Sequence, residues 1–227
     1  RAEADPPTPL PPRRHGKVRA AAKGVRRPGS RFGARLEPFT LVDVQLHAGR
    51  SLHTVTQVVT IEAFAVGISA EYGRFTAASA MLETTDRLTD EFVDPNQRGF
   101  LMLVGALRAM AEGRIPPPLV LDSFLLRTLA VSGWAPELRV CASCGADGPH
   151  HAIDIRAGGL VCTPCRRPGA IAVRQSTIEH MIFLLAGDWE NVLDADETVM
   201  HEAGRLITDT MTWHLERSVR SLHYVER

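Results

Sequence analysis

The chain has 227 residues, of which 44% are hydrophobic and 23% are charged, and its formal net charge is zero. These fractions are close to globular averages, so the chain can bury a core in one large domain or two smaller ones. No apolar stretch reaches the roughly 18 residues that a membrane-spanning helix needs. The proline-rich N-terminus also lacks the apolar segment of a secretory signal. We therefore exclude membrane-spanning and secreted proteins and expect a cytoplasmic one.

The zero net charge conceals a strong asymmetry along the chain. Residues 1–35 contain ten basic residues and only two acidic ones, Glu3 and Asp5. This end therefore has a net charge of +8, and the remainder of the chain has a net charge of −8. The basic residues of this end are Arg1, Arg13, Arg14, Lys17, Arg19, Lys23, Arg26, Arg27, Arg31 and Arg35. A strongly basic end on a neutral protein indicates a polyanionic partner. The alternative is a solvated basic tail that binds nothing.

The first 14 residues, RAEADPPTPLPPRR, form a proline-rich segment with five prolines in seven positions. Proline removes a backbone donor and fixes φ. We therefore expect residues 1–14 to be disordered or polyproline-like and to form neither strand nor helix.

Residues 15–68 have the pattern of a small β domain. In the segment LVDVQLH, apolar and polar residues alternate, as they do in a half-buried strand. Residues 47–50 are a plausible hairpin turn, and residues 54–61 form the next predicted strand. We expect a compact β-barrel or small sheet here.

Helical periodicity begins after Gly67 and dominates the predicted domain over residues 69–227. The predicted helices cover residues 69–90, 95–112, 119–132, 175–187 and 196–221. The first has a predicted apolar face of Tyr72, Phe75, Ala78, Met81, Leu82 and Leu88. The segment IPPPL separates the second helix from the third, and a cysteine module occupies residues 139–168.

The four cysteines form two Cys-x-x-Cys pairs, CASC and CTPC, separated by seventeen residues. Each pair directs two thiolates to one point, and two such pairs together complete a tetrahedron. Cys141, Cys144, Cys162 and Cys165 are therefore the predicted ligands of one zinc ion. Four protein ligands leave no open position, so this zinc is expected to be structural. HHAIDI and GGLVC are the predicted strands that bring the pairs together.

Two other uses of the cysteines remain open at this point. Disulfides are disfavoured by a reducing cytoplasm and by the paired spacing. A redox Cys-x-x-Cys usually occurs singly and in a thioredoxin-like context, which the chain lacks. His150 and His151 lie between the pairs, and we expect both on the surface and neither as a substitute ligand.

The basic end has the composition of a nucleic-acid surface. Arginine and lysine neutralise phosphates and supply sequence-independent affinity. Phe32 lies among the arginines, where it has two possible roles: it stacks on a base, as in single-strand binders, or it belongs to the barrel core.

No motif in the sequence indicates catalysis. The chain has no Walker-type phosphate loop, no nucleophile and base in a motif context, and no clustered carboxylates for a catalytic metal. We therefore interpret it as a binding protein and not as an enzyme.

Five segments carry a resemblance to a known family. They are HGKVRAAAKGVRRPGSRFGARLEPF, VDVQLHAGRSLHTVTQ, GWAPELRVCASCG, GGLVCTPCR and WHLERSVRSL. In this order they resemble RecO, the bacterial recombination mediator, of the zinc-containing actinobacterial type, across nearly all of residues 15–227. The resemblance implies an α+β protein: an N-terminal OB-fold barrel, then a mainly helical domain with an inserted four-cysteine zinc module. PPTPLPP occupies the place of the second barrel strand, so we expect the barrel to be incomplete.

The resemblance also implies function in the nucleoid. It implies that the protein binds single- and double-stranded DNA and anneals complementary strands. It also implies that the protein, together with RecR, loads RecA onto single strands coated by the single-stranded-DNA-binding protein SSB. The implied protein partners are RecR and the C-terminal tail of SSB. The DNA-binding residues that it implies are Arg13, Arg14, Lys17, Arg19, Lys23, Arg26, Arg27, Arg31 and Arg35.

Two alternatives come from other functional classes. A zinc-ribbon assembly factor for RNA or transcription complexes would need the same cysteines but not the WHLERSVRSL segment. A zinc hydrolase would need a vacant ligand position and a general base near the metal.

Overall fold

The computed structural model describes residues 8–10, 18–22, 25, 32–50, 52–91 and 98–215. The chain divides into two compact units, Arg1–Arg114 and Ile115–Arg227, each of which is described by itself. The sequence-based boundaries of residues 1–14, 15–68 and 69–227 stay predictions. Among the described residues, no helix combines the length and hydropathy that a bilayer crossing requires.

The first unit begins with a four-stranded sheet. Its strands are β1 (Thr8–Leu10), β2 (Val18–Ala21), β3 (Thr40–His47) and β4 (His53–Ala63), in the order β1-β2-β4-β3. Strands β2 and β4 are parallel, and the other neighbouring pairs are antiparallel. The predicted α+β class, with an incomplete OB-like sheet before a helical domain, is confirmed.

Strand β1 corrects one expectation, because it lies within the proline-rich segment where we excluded a strand. Pro9 pairs with Arg19 of β2. Strand β1 is the outer strand of the sheet, and proline is tolerated on an edge strand, since its missing N–H need not face the neighbour. The rest of residues 1–14 lies outside the described residues.

The core of the sheet follows the predicted alternation. Val42, Val44 and Leu46 of β3 pack against a buried cluster while the polar residues between them are exposed. The members of this cluster are Ala20, Ala22, Phe32, Val55 and Val58. Phe32 is 5% exposed, so it is a core residue, and the alternative that it stacks on a base is wrong. Burial of the apolar ring in this core lowers the free energy more than exposure of the ring to solvent among arginines would.

Three α-helices follow the sheet in the described residues of the first unit: α1 (Ala65–Ser69), α2 (Tyr72–Glu91) and α3 (Arg98–Glu112). The guanidinium of Arg108 on α3 donates two hydrogen bonds, of 2.6 and 3.0 Å, to the carboxylate of Glu62 on β4. This bond lowers the pKa of Glu62.

The predicted apolar face of α2 is only partly correct. Ala78, Met81 and Leu88 are buried, whereas Tyr72 and Phe75 are exposed. Both exposed residues lie in the first turn, and the ring of Phe75 there makes an edge-on contact with Phe39, 5.7 Å between centroids.

The described part of the second unit contains four α-helices: α4 (Pro117–Val131), α5 (Gln175–Ala186), α6 (Trp189–Leu193) and α7 (Glu197–His214). Ten of the fifteen residues of α4 are buried, because α5 and α7 both pack against it. A helix that is apolar on nearly every side needs such cover. All five predicted helices are present, with ends shifted by a few residues. Residues 216–221 of the last prediction lie outside the described residues.

Candidate functional site

The cysteine module lies between α4 and α5 and is organised by a small three-stranded sheet. Its strands are β5 (Ala152–Asp154), β6 (Gly159–Leu160) and β7 (Ile171–Ala172), in the order β6-β5-β7. Strand β6 also bridges to Glu137, which precedes the first cysteine pair. The pairing of β5 with β6 brings the second cysteine pair beside the first, as predicted for these segments.

The first cysteine pair lies in a tight knuckle. The N–H of Gly145 donates to the carbonyl of Cys141 at 2.8 Å, and the N–H of Cys141 donates to the carbonyl of Ala146 at 2.9 Å. These bonds fold the chain back within five residues. Cys141 is buried, and Cys144 lies on the exposed side of the knuckle.

The second cysteine pair spans a 3₁₀ turn, Thr163–Cys165, which Cys162 directly precedes, and the N–H of Cys165 donates to the carbonyl of Cys162 at 3.0 Å. A contact between the pairs fixes their relative position, since the N–H of Cys162 lies 3.4 Å from the Sγ of Cys141 and donates to it. Such N–H donors stabilise a thiolate that carries negative charge.

The four Sγ atoms fit one tetrahedral zinc ion. They all lie within 4.8 Å of one another, and those of Cys144 and Cys162 are 3.7 Å apart. A Zn–S bond of about 2.3 Å places sulfurs about 3.8 Å apart in a tetrahedron. A disulfide requires about 2.05 Å, and all four cysteines are free. Among the described residues, this is the one cluster of three or more metal-ligating side chains.

The thiols also influence one another's protonation. The hydrogen bond from the backbone of Cys162 lowers the pKa of Cys141 to about 6. The neighbouring thiols of Cys162 and Cys144 raise the pKa of Cys165 to about 12. The thiols therefore do not ionise alike, because the hydrogen bonds among them favour one thiolate beside neighbours that keep their protons. A divalent cation takes its ligands as thiolates, so its binding releases protons.

The two histidines between the pairs differ from each other. His151 is exposed, as predicted, but His150 is 9% exposed, so the expectation of a surface position for it is wrong. The Nε2 of His150 lies 2.9 Å from the carbonyl oxygen of Ala146 within the first knuckle. This bond satisfies a ring nitrogen, so burial of the imidazole is tolerated. Neither histidine belongs to the metal-ligating cluster.

Two of the nine predicted DNA-binding residues fall within the described part of the chain. Arg19 lies in β2, and Arg35 is exposed in a 3₁₀ turn, Gly33–Leu36, that precedes β3. The other seven, which lie outside the described residues, are Arg13, Arg14, Lys17, Lys23, Arg26, Arg27 and Arg31. The predicted DNA surface stays a prediction.

The end of α7 holds residues whose surroundings the sequence did not indicate. The ring of His214 stacks on Trp134, with centroids 4.8 Å apart and planes 7° from parallel. The guanidinium of Arg156 lies 5.6 Å from the centre of the Trp213 ring. Both contacts join residues far apart in the chain, and the only sequence signal was the presence of Trp213 and His214 in the WHLERSVRSL segment.

Comparisons with known proteins cover both units. A family model described as "Recombination protein O N terminal" matches residues 12–64, and one described as "Recombination protein O C terminal" matches residues 69–223. A protein of Thermobifida fusca named "DNA repair protein RecO" is 50% identical over 225 residues, which cover 99% of this chain and 93% of the relative.

Two further relatives with the same name come from Frankia casuarinae and a Nocardioides species. Each is 49% identical, over 226 and 228 residues respectively, and each alignment covers at least 99% of this chain and 93% of the relative. The four-cysteine cluster is consistent with the zinc-containing type of this family. The chain therefore belongs to the RecO family, whose members are DNA repair proteins that act as recombination mediators and not as enzymes.

Proposed function

We propose that this protein binds single- and double-stranded DNA and anneals complementary strands in recombinational repair by the RecF pathway. The observation that carries the proposal is the match of the whole chain, through both family models, to relatives that are about half identical to it. The described residues agree with a binding role, since their one cluster of metal-ligating side chains has four protein sulfurs and no place for a substrate.

The proposed DNA surface is the basic N-terminal arm, defined as the nine basic residues between positions 13 and 35 that the family resemblance implies. Residues 1–35 carry a net charge of +8. Arg35 is exposed, and its neighbours Phe32 and Leu36 pack in and against the buried cluster of the sheet, so the backbone at Arg35 is supported by that core. The arm residues are Arg13, Arg14, Lys17, Arg19, Lys23, Arg26, Arg27, Arg31 and Arg35.

Annealing by this surface needs no covalent step. Two complementary strands repel each other through their phosphates, and a basic surface that neutralises the phosphates releases condensed counterions. The strands then approach closely enough for base pairs to nucleate. This contribution is independent of sequence and falls as salt rises.

The proposed cofactor is one structural zinc ion held by Cys141, Cys144, Cys162 and Cys165, whose sulfur positions fit a tetrahedral shell. Bound zinc closes the module between α4 and α5, and its contribution to folding in comparable peptides is on the order of 10 kcal/mol. The residues of this chain position the shell: β6 aligns the two pairs, and the N–H of Cys162 donates to the Sγ of Cys141.

The proposed protein partners are RecR and the C-terminal tail of SSB, with RecA loading as the outcome in the cytoplasmic nucleoid. The residues after position 35 carry a net charge of −8, so a body of opposite charge to the arm remains available for protein docking. Co-purification with RecR and with SSB, against SSB without its tail, tests these partners; equal recovery with and without the tail would contradict the tail interaction.

Annealing of complementary oligonucleotides tests the DNA surface. The variant changes Lys23, Arg26 and Arg27 to Ala together, and we expect slower annealing and a salt slope reduced by up to about 3. The control removes three arginines outside the arm that are exposed, and it has the same net charge; these are Arg98, Arg114 and Arg205. Equal annealing rates and salt slopes for both variants and the unchanged protein would refute the proposed surface.

A further inference from the structure

An open cleft lies in the second unit, between the cysteine module and the end of α7. Its volume is about 900 Å³. One wall is formed by Arg156 and by Pro168 and Gly169, which follow the second cysteine pair. The other wall is formed by Asp209 and Trp213 of α7. Neither the zinc shell nor the basic N-terminal arm includes any of these residues.

Trp213 is the prominent side chain of the cleft. It is 52% exposed, although tryptophan is usually well buried. The guanidinium of Arg156 lies 5.6 Å from the ring centre, a distance at which a cation is attracted to the π face. An exposed indole beside a guanidinium presents two planar groups, each of which stacks on a nucleobase.

The backbone that carries each of the two groups is anchored within the second unit. The carboxylate of Asp154 accepts a hydrogen bond of 3.0 Å from the backbone N–H of Arg156. On the other wall, His214 stacks on Trp134, and Leu215 is 4% exposed. The backbone at Arg156 and at Trp213 is therefore anchored, so a flat ligand that enters orders only the two side chains.

We propose that this cleft binds an unpaired nucleobase of a single strand, stacked on Trp213. The exposed carboxylate of Asp209 lies in the same cleft and is an acceptor for the donors on the edges of bases, such as the ring N–H of thymine and the exocyclic amino groups of other bases. Arg166 and Arg167 are exposed and directly precede Pro168 at the rim, where they reach the phosphates on either side of the bound base.

The same residues disfavour an acidic peptide as the ligand. Two carboxylates, those of Asp154 and Asp209, line the cleft, and Arg156 is the one arginine among its described lining residues. A polyanionic peptide in the cleft would be repelled by these two carboxylates, and the single positive charge of Arg156 would not compensate for the repulsion. A nucleotide separates its charge from its flat polar base, so the base meets the carboxylates while its phosphates stay at the arginine rim.

This site goes beyond the basic N-terminal arm of the proposed function and does not depend on it. It would give the protein a second contact with an unpaired strand, on the other unit of the chain. A base held here would anchor an unpaired strand to the second unit, which suits a protein that anneals.

The test compares two ligands of equal length and charge with the full chain: an oligothymidylate and an abasic oligonucleotide. Trp213→Leu removes the aromatic face and retains apolar volume. We expect it to weaken binding of the oligothymidylate by at least about fivefold, since one stacked base contributes that much. Binding of the abasic oligonucleotide stays unchanged, and Trp213→Phe retains most of the affinity. An equal loss with both ligands, or no loss with either, would overturn the proposal.

Three controls distinguish base stacking in the cleft from binding by charge alone, from binding at the arm and from peptide binding. Arg156→Ala lowers the affinity for oligothymidylate more than Arg139→Ala does, since Arg139 is exposed but does not line the cleft. Quenching of tryptophan fluorescence by oligothymidylate is lost in Trp213→Phe but persists when Lys23, Arg26 and Arg27 are changed to Ala, so failure of the arm and failure of the cleft are distinguishable. Displacement of oligothymidylate from Trp213 by a polyglutamate peptide would show a peptide site and would overturn the base site.

Discussion

Two adjacent glycines, Gly158 and Gly159, allow a sharp test of how the cysteine module is built. Both have positive φ, of +86° and +150°. A Cβ added at Gly158 would meet nothing within 4 Å, whereas one added at Gly159 would lie 2.3 Å from the carbonyl oxygen of Glu137 and 2.5 Å from its nitrogen. The two substitutions to Ala therefore share backbone strain, and only the second adds a backbone clash.

The magnitudes follow from these distances. Strain at positive φ costs roughly 1–2 kcal/mol for Gly158→Ala. For Gly159→Ala, the backbone of Glu137 must also move away. This movement weakens two hydrogen bonds, from the N–H of Glu137 to Gly158 at 2.9 Å and from the N–H of Leu160 to Glu137 at 2.8 Å, each worth about 1 kcal/mol. We expect Gly159→Ala to cost at least about 2 kcal/mol more than Gly158→Ala.

The assay is competition for zinc with a chromophoric chelator, together with denaturant unfolding. Because β6 aligns the second cysteine pair with the first, a displaced strand separates the sulfurs. A difference of about 2 kcal/mol corresponds to roughly 30-fold weaker zinc binding by Gly159→Ala than by Gly158→Ala. Equal zinc affinities and equal unfolding free energies for the two variants would refute the proposed role of β6 in the module.

Three further predictions concern the helices of the second unit. His180 is 2% exposed, neither ring nitrogen has a hydrogen-bond partner among the described residues, and burial lowers its pKa. Below about pH 6.5 the unfolded chain therefore binds a proton at His180 that the folded chain does not bind. The free energy of unfolding consequently decreases as the pH falls below about 6.5. His180→Leu should reduce this loss in unfolding measured from about pH 7.5 to about pH 5; an unchanged pH dependence would contradict it. Ser123→Ala removes a buried 2.8 Å bond to the carbonyl of Leu184, and we expect denaturant unfolding to show a loss of about 1–2 kcal/mol; no loss would contradict the contact between α4 and α5. Leu125→Ala, at a fully buried position, should cost about 2–5 kcal/mol, whereas Leu193→Ala, at a position 47% exposed, should cost less than about 0.5 kcal/mol; similar losses for both would refute the assigned core.

Local patterns in the sequence were sufficient for much of the fold. Alternation in LVDVQLH predicted β3 and its buried face, and helical spacing predicted all five long helices. The two Cys-x-x-Cys pairs predicted a cluster whose sulfurs the structure brings within 4.8 Å. In each case the signal lies within a few residues, because strand, helix and knuckle are all set by local periodicity or spacing.

Two outcomes that the sequence did not settle correctly, at Pro9 and at Phe32, depended on contacts distant in the chain. Pro9 is accommodated because its strand is at the edge of the sheet. Phe32 is buried because Val55 and Val58 of β4 pack against it. Only the tertiary arrangement shows which strand is outermost or which ring is covered, and residue type alone does not.

The cleft beside Trp213 was missed for the same reason. Arg156 and Trp213 are 57 positions apart, and no motif links them. Their approach depends on the packing of α7 against the 3₁₀ turn Ile155–Ala157 that follows β5. Helical spacing placed Trp213 on a helix but did not indicate what that helix would meet.

The proposed metal centre of this RecO-family chain consists of four thiolates that two converging turns bring to one ion. Zinc content per chain after purification without added metal, with thiol titration before and after a chelator, measures this directly. We expect one zinc per chain and four thiols that react only once the zinc is removed. A chain without stoichiometric zinc, or one whose four thiols react freely while zinc is bound, would contradict the proposed centre.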